Sequence, residues 1–298
     1  MDIGSVEFFS STSIKAFTDH PHVLDGALGR TLAYLGLSIV LGLRVWIGIL
    51  RDAVPQRLVA FQITAIVAGL AGAFLVINAS LSEAVDPFSS SFSMQQTTPT
   101  FTDYQQMLLH TAYGKAWLLY LGLLAAGILL VRHAWAAWGA AVGAGFALAA
   151  CGHSGEYGLG APLYWFGAVH LLMALTWVGG FCVLLAGRLG EKWRIEYAAL
   201  QTFSRIALPL FLIIVLLGLI RLALQYDYEE GLGALYVAML ILKLVAVGGV
   251  IAGAAGLRRL LKDAQADENA YDNKLGMEIF FAGLLILATA LLTQLPPR

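Results

Sequence analysis

Charge is scarce in this chain. Asp, Glu, Lys and Arg make up 12% of the 298 residues and sum to a net charge of −1, against about a quarter in an ordinary soluble domain. That composition excludes a conventional water-soluble fold. Cysteine is scarcer still, with two residues, Cys151 and Cys182. They belong to opposite depths of the apolar segments described below, roughly 28 Å apart by helical rise. No disulfide spans that distance, so none is expected. The chain also lacks a G-x-x-x-x-G-K-[ST] run and any soluble stretch large enough to hold ATP, which argues against a nucleotide-driven pump in this chain alone. No Ser/His/Asp or metalloprotease arrangement is present, and the chain is read as a non-enzyme. The first 26 residues lack the basic-then-apolar order of a cleavable signal, so the first apolar span is expected to act as an uncleaved insertion signal.

What the chain has is apolar length. Hydrophobic residues are 59% of the total and the mean hydropathy is +0.77. They fall into runs of roughly 20 residues, the length that crosses a bilayer. Eight spans are predicted, at about 27–50, 58–81, 108–131, 134–153, 163–187, 203–225, 233–256 and 275–295. In lipid a single segment satisfies its own backbone only as a helix. The expected fold is therefore all-α: a polytopic eight-helix transmembrane bundle over 27–298, preceded by an N-terminal segment, 1–26. Lys and Arg collect in the segments after spans 1, 3, 5 and 7, whereas the loops 82–107, 154–162 and 226–232 have none. Lys15, Arg30, Lys115 and Arg221 run against this trend. By the positive-inside rule both termini lie outside the cytoplasm. Short echoes, such as W46-I-G48 and W177-V-G179, allow a parallel repeat of four helices plus four; chance similarity between apolar segments explains them equally well.

The outer side is acidic, with Asp19, Asp25, Glu83, Asp86, Asp103, Glu156, Asp227, Glu229 and Glu230. Such a face concentrates cations, or it merely reflects outer loops that avoid Lys and Arg. Three histidines fall in the outer third of the bundle, each beside sulfur: Met107 with His110, Cys151 with His153, and His170 with Met173. Imidazole with thioether or thiolate suits copper, Cu(I) above all. The alternative for each is a hydrogen-bonded interior histidine and a methionine that fills space. His20 and His22 add two imidazoles before span 1, as metal-capturing groups or as an ordinary polar tail.

Several runs resemble the copper resistance D family. They are FSRIALP from Phe203 to Pro209, Gly218, Tyr236, Lys243-Leu244, Arg258-Arg259, Glu278 in KLGME, and the ending Leu295-Pro296-Pro297; HLLMALTWVGG from His170 and CGHS from Cys151 resemble further segments. Cys151 stands where the family has Ser, and Val237 where Gly is common. The resemblance implies an inner-membrane protein of eight helices that moves copper toward the cytoplasm, often beside a periplasmic copper carrier. The expected partners are copper, that carrier and the bilayer, with no nucleic acid. In this reading His170 and Met173 form the deepest part of an outer copper site. Trp177 and the pair Gly179-Gly180 close the path below it. Lys243 gates the passing cation or packs structurally, and Glu278 is its partner, an exit group or a solvated acid. Two rivals remain at this point: a b-type haem electron-transfer protein with axial histidines, and a copper-holding factor for oxidase assembly that transports nothing.

Overall fold

The computed structural model describes residues 22–50, 56–85, 98–130, 133–189, 197–225, 234–260 and 268–292. Every regular element among them is an α-helix: α1 Val23–Leu50, α2 Gln56–Val85, α3 Phe101–His110, α4 Ala112–Leu129, α5 Ala134–Ala150, α6 His153–Glu156, α7 Pro162–Leu189, α8 Tyr197–Gln225, α9 Ala234–Leu260 and α10 Glu268–Leu292. Six of them (α1, α2, α4, α7, α8 and α9) are long and apolar enough to cross a membrane. The apolar parts of the other two long elements are shorter, Trp135–Ala150 and Phe280–Leu292. The chain is a multi-pass membrane protein.

Apolar run length places these helices but not all of their ends. The predicted third span begins at 108; here it is divided at Thr111. Thr111 is extended (φ −99°, ψ 150°) and caps both neighbours. Its hydroxyl donates to the Met107 carbonyl at 2.6 Å and accepts from the Gly114 N–H at 2.9 Å, which satisfies backbone groups that helix ends leave unpaired. The loop expected over 82–107 thus holds a short helix in its described part. α3 starts in a capping box between Thr100 and Asp103 and lays Tyr104, Met107 and Leu108 against the core.

The bundle is organised around α1, which packs on α2, α7, α5 and α10. Glycine makes this closeness workable. A Cβ at Gly36 would sit 2.5 Å from the Ala65 carbonyl oxygen of α2, and one at Gly179 of α7 would land on the Ser38 carbonyl of α1. Burial follows this packing: 61% of the α1 span and 56% of the α7 span are buried, against 11% of α8 and 17% of α9. The last two helices expose Leu212, Leu216, Ile241, Val245 and Ile251, as a lipid-facing surface requires.

Candidate functional site

An imidazole inside an apolar bundle needs a partner. That of His170, in α7, comes from α8: Nδ1 lies 2.8 Å from the Ile214 carbonyl oxygen. A carbonyl only accepts, so Nδ1 carries a proton, and in the neutral form of the ring the lone pair lies on Nε2. Gly218, one turn beyond Ile214, makes room for the ring. A Cβ there would stand 3.0 Å from His170 Cε1 and 3.5 Å from Nδ1.

His170 faces a cavity of about 200 Å³ between α7, α8, α9 and α10, whose walls are mostly Leu, Val, Ile and Phe. Its polar lining includes Tyr34, Ser154, His170, Arg221, Lys243 and Thr289. Lys243 and Arg221 line the same cavity as His170. Gly167 lets α7 approach Ser154, and a Cβ at that position would be 3.5 Å from Arg221 Nη1. By helical rise His170 is roughly 12 Å from the start of α7, and Lys243 roughly 13 Å from the start of α9. The two therefore share a depth, with Arg221 nearer the same end of the bundle.

Aromatic rings follow at the next level. Trp177 packs against Phe181 and Phe211, with ring centroids 4.7 and 5.4 Å apart. Phe203 joins Phe181 to Trp46, at 5.2 and 5.0 Å. The Trp46 indole N–H donates to the Gly180 carbonyl at 2.8 Å. Trp177 thus belongs to a ring cluster that fills the bundle on the far side of His170 from Arg221.

Two of the cavity's four principal walls, α8 and α9, lie wholly in the segment with the most specific sequence features, and the apolar part of α10 completes it. Residues 197–292 match the copper resistance protein D (CopD) family. The match covers roughly a third of the chain and coincides closely with the 203–297 region that resembles this family by its motifs. No curated protein and no solved structure matches the chain. His170 itself lies on α7, outside the CopD region, and faces that region across the cavity.

The other predicted ligands whose side chains are described do not line this cavity. Met173, one turn from His170, is half-buried and packs against the core, and it is absent from the cavity lining. Cys151 is buried as a free thiol; its Sγ–H donates to the Ala147 carbonyl at 3.2 Å, and its own carbonyl accepts from Arg30 at 2.8 Å. Met107 is half-buried beneath α3, and His110 is exposed at the end of that helix. The backbone of His153 opens α6, between the cavity-lining Gly152 and Ser154; its side chain, like that of Glu278, lies outside the described residues, as does all of His20. His22 Nδ1 is 3.7 Å from Asp25. Among the described residues no three His, Cys, Asp or Glu side chains form a metal-holding group.

Of the predicted residues, then, the cavity unites His170 and Lys243. Arg221, Tyr34 and Ser154 were not singled out from the sequence. A signal for Arg221 existed: it is one of the four cations that break the positive-inside pattern, and it sits within an apolar helix.

Proposed function

We propose that this protein transports copper across the bacterial inner membrane, from periplasm toward cytoplasm. In this reading eight crossings, in two sets of four with like orientation, are completed by α5 and α10. Both termini and residues 1–26 lie on the periplasmic side. The observation that carries the proposal is the anchored ring of His170. Its Nδ1–H is taken by a backbone carbonyl, the support that orients imidazole ligands and leaves Nε2 for a metal. The ring faces a cavity walled in large part by the CopD region. Cu(I) is the favoured state on ligand softness, with Cu(II) the alternative. Met173 supplies a thioether next to His170. His110, Met107, His153, His20 and His22 act nearer the surface, receiving copper from solution or from a periplasmic carrier, and Cys151, whose thiol is buried, is a soft ligand behind them. Trp177 closes the path below, Lys243 gates it, and Glu278 serves the exit.

Two measurements test this reading. Titrating Cu(I) against a competing chelator should show at least tenfold weaker binding in His170→Ala, and a smaller loss in Met173→Leu, which keeps volume but deletes the sulfur. Wild-type affinity in a folded His170→Ala protein would refute the site. Sealed vesicles containing the wild type should accumulate copper. Binding without accumulation would mean a copper-holding factor, and a Soret band in the purified protein would mean a haem protein.

A further inference from the structure

Arg30 is a buried cation that the copper path does not use. It lies roughly 10 Å along α1 and runs against the positive-inside pattern. Only 4% of it is exposed. A guanidinium keeps its charge at any ordinary pH and holds five N–H bonds in one rigid plane. One of these, from Nη2, goes to the Cys151 carbonyl at 2.8 Å, just past the end of α5. The negative end of that helix dipole offsets part of the charge. Nε and Nη1 are buried and meet no acceptor.

The surroundings of Arg30 do not supply a counter-ion. The side chains that act on it are Tyr34, Tyr113 and Cys151, and none is a carboxylate. Trp117 of α4 packs edge-on against Tyr113 at 6.2 Å, and its indole N–H is also buried without an acceptor. Buried donors are thus left over in this part of the bundle. A water molecule can accept from an N–H, but it leaves the charge in place. A buried charge without a partner is costly, and an anion removes both deficits.

There is also a way in. A Cβ at Gly152 would stand 3.8 Å from Arg30 Nη1, in ordinary contact, so the absent side chain leaves that side of Nη1 open. Gly152 and Tyr34 both line the His170 cavity. Nη1 is therefore reached from the cavity past Gly152. The opening has the size of a missing side chain, which suits a small ion rather than a large one.

We infer that Arg30 binds a small monovalent anion through Nη1, beside Gly152 at the edge of the His170 cavity. The inference uses no other charge of the cavity and does not depend on copper.

Chloride is the probe. Wild type and Arg30→Gln are purified, free of metal, in an uncharged detergent with gluconate as the anion. Chloride then replaces gluconate at fixed ionic strength, and the chloride NMR line width and thermal unfolding are followed together. Wild type should broaden the chloride line, lose that broadening when bromide competes, and melt at a higher temperature with a saturable dependence on chloride. Arg30→Gln should bind at least tenfold more weakly. A wild type without a saturable response holds water there, which overturns the inference; an equal response in Arg30→Gln does the same. Should Arg30→Gln fail to assemble, Gly152→Ala decides. Its methyl fits without a clash and leaves every charge in place, but it covers the open side of Nη1. Chloride affinity should fall several-fold, and unchanged affinity in Gly152→Ala counts against the site.

Discussion

The two sides of the His170 cavity are built differently. On one side α1, α2 and α7 meet backbone to backbone through glycine, and more than half of the α1 and α7 spans is buried. On the other, few residues of α8 and α9 are buried, and it is these helices that lie within the CopD match. The cavity therefore lies between a close-packed frame and a more lightly packed wall. His170 belongs to the frame by its helix and to the wall by its hydrogen bond to Ile214, so it links the two.

The sharpest way to break this contrast is to add the same side chain on each side. Gly179→Ala drives a methyl group onto the Ser38 carbonyl. Backbone cannot swing aside as a side chain does, so the folded yield in detergent should collapse. Gly248 of α9 has nothing within 4 Å of its would-be Cβ; Gly248→Ala should be neutral or stabilising by up to about 1 kcal/mol. Size-exclusion profiles and melting curves measure both, and equal tolerance would abolish the distinction.

Next in size is Trp46→Phe. It retains a ring against Phe203 but removes the donor to the Gly180 carbonyl and part of a fully buried side chain, together a loss of about 1–3 kcal/mol. A melting temperature equal to wild type would show that this contact contributes little to the frame.

Smaller again is Gly218→Ala, which probes the link itself. The new methyl stands 3.0 Å from the His170 ring, so the ring must shift by a few tenths of an ångström, an off-rotamer cost of order 0.5–1.5 kcal/mol. Cu(I) affinity should fall a few-fold while the protein melts near the wild-type temperature. Unchanged affinity would detach the ring's position from metal binding.

The smallest effect is expected at α3, away from both sides. Asp103 accepts from the Thr100 N–H and hydroxyl at 2.7 and 2.6 Å, and these bonds hold its carboxyl below the ordinary carboxylate range. A lowered folded value means that its contribution is present above the ordinary range and is lost as pH falls through the folded value. The protection factors of the α3 amides, referred to the intrinsic exchange rate at each pH, should therefore fall only in acid. Asp103→Asn should exchange faster at neutral pH and lose the acid response; a response that survives in Asp103→Asn would belong to another group.

Some of the architecture was open to inspection in the chain. Helices of membrane length follow from runs of apolar residues, because each satisfies its own backbone wherever it lies. The break at Thr111 was not, since a threonine that caps two helices looks, in sequence, like a polar residue inside an apolar run. His170 and Lys243 stood out as polar groups in hydrocarbon. Gly218 could be picked out by resemblance to the family, but its use could not: it holds a space for a ring 48 positions earlier in the chain. Met173 shares a helical face with His170 at i, i+3, yet it packs on the core because neighbouring helices, and not spacing, decide what each part of a face meets.

Composition and residue spacing were enough to mark a membrane protein, its helical segments, the region that matches CopD, and an imidazole and a lysine set within apolar helices. These are properties of a residue and its near neighbours, set by helix periodicity and the cost of polar atoms in hydrocarbon. Helix packing, by contrast, makes the carbonyl of Ile214 the partner of His170, brings Lys243 and Arg221 to one cavity, and turns Cys151 into the core. Those outcomes depend on which helix packs against which, through contacts between residues tens of positions apart, and no local pattern in the chain encodes that choice.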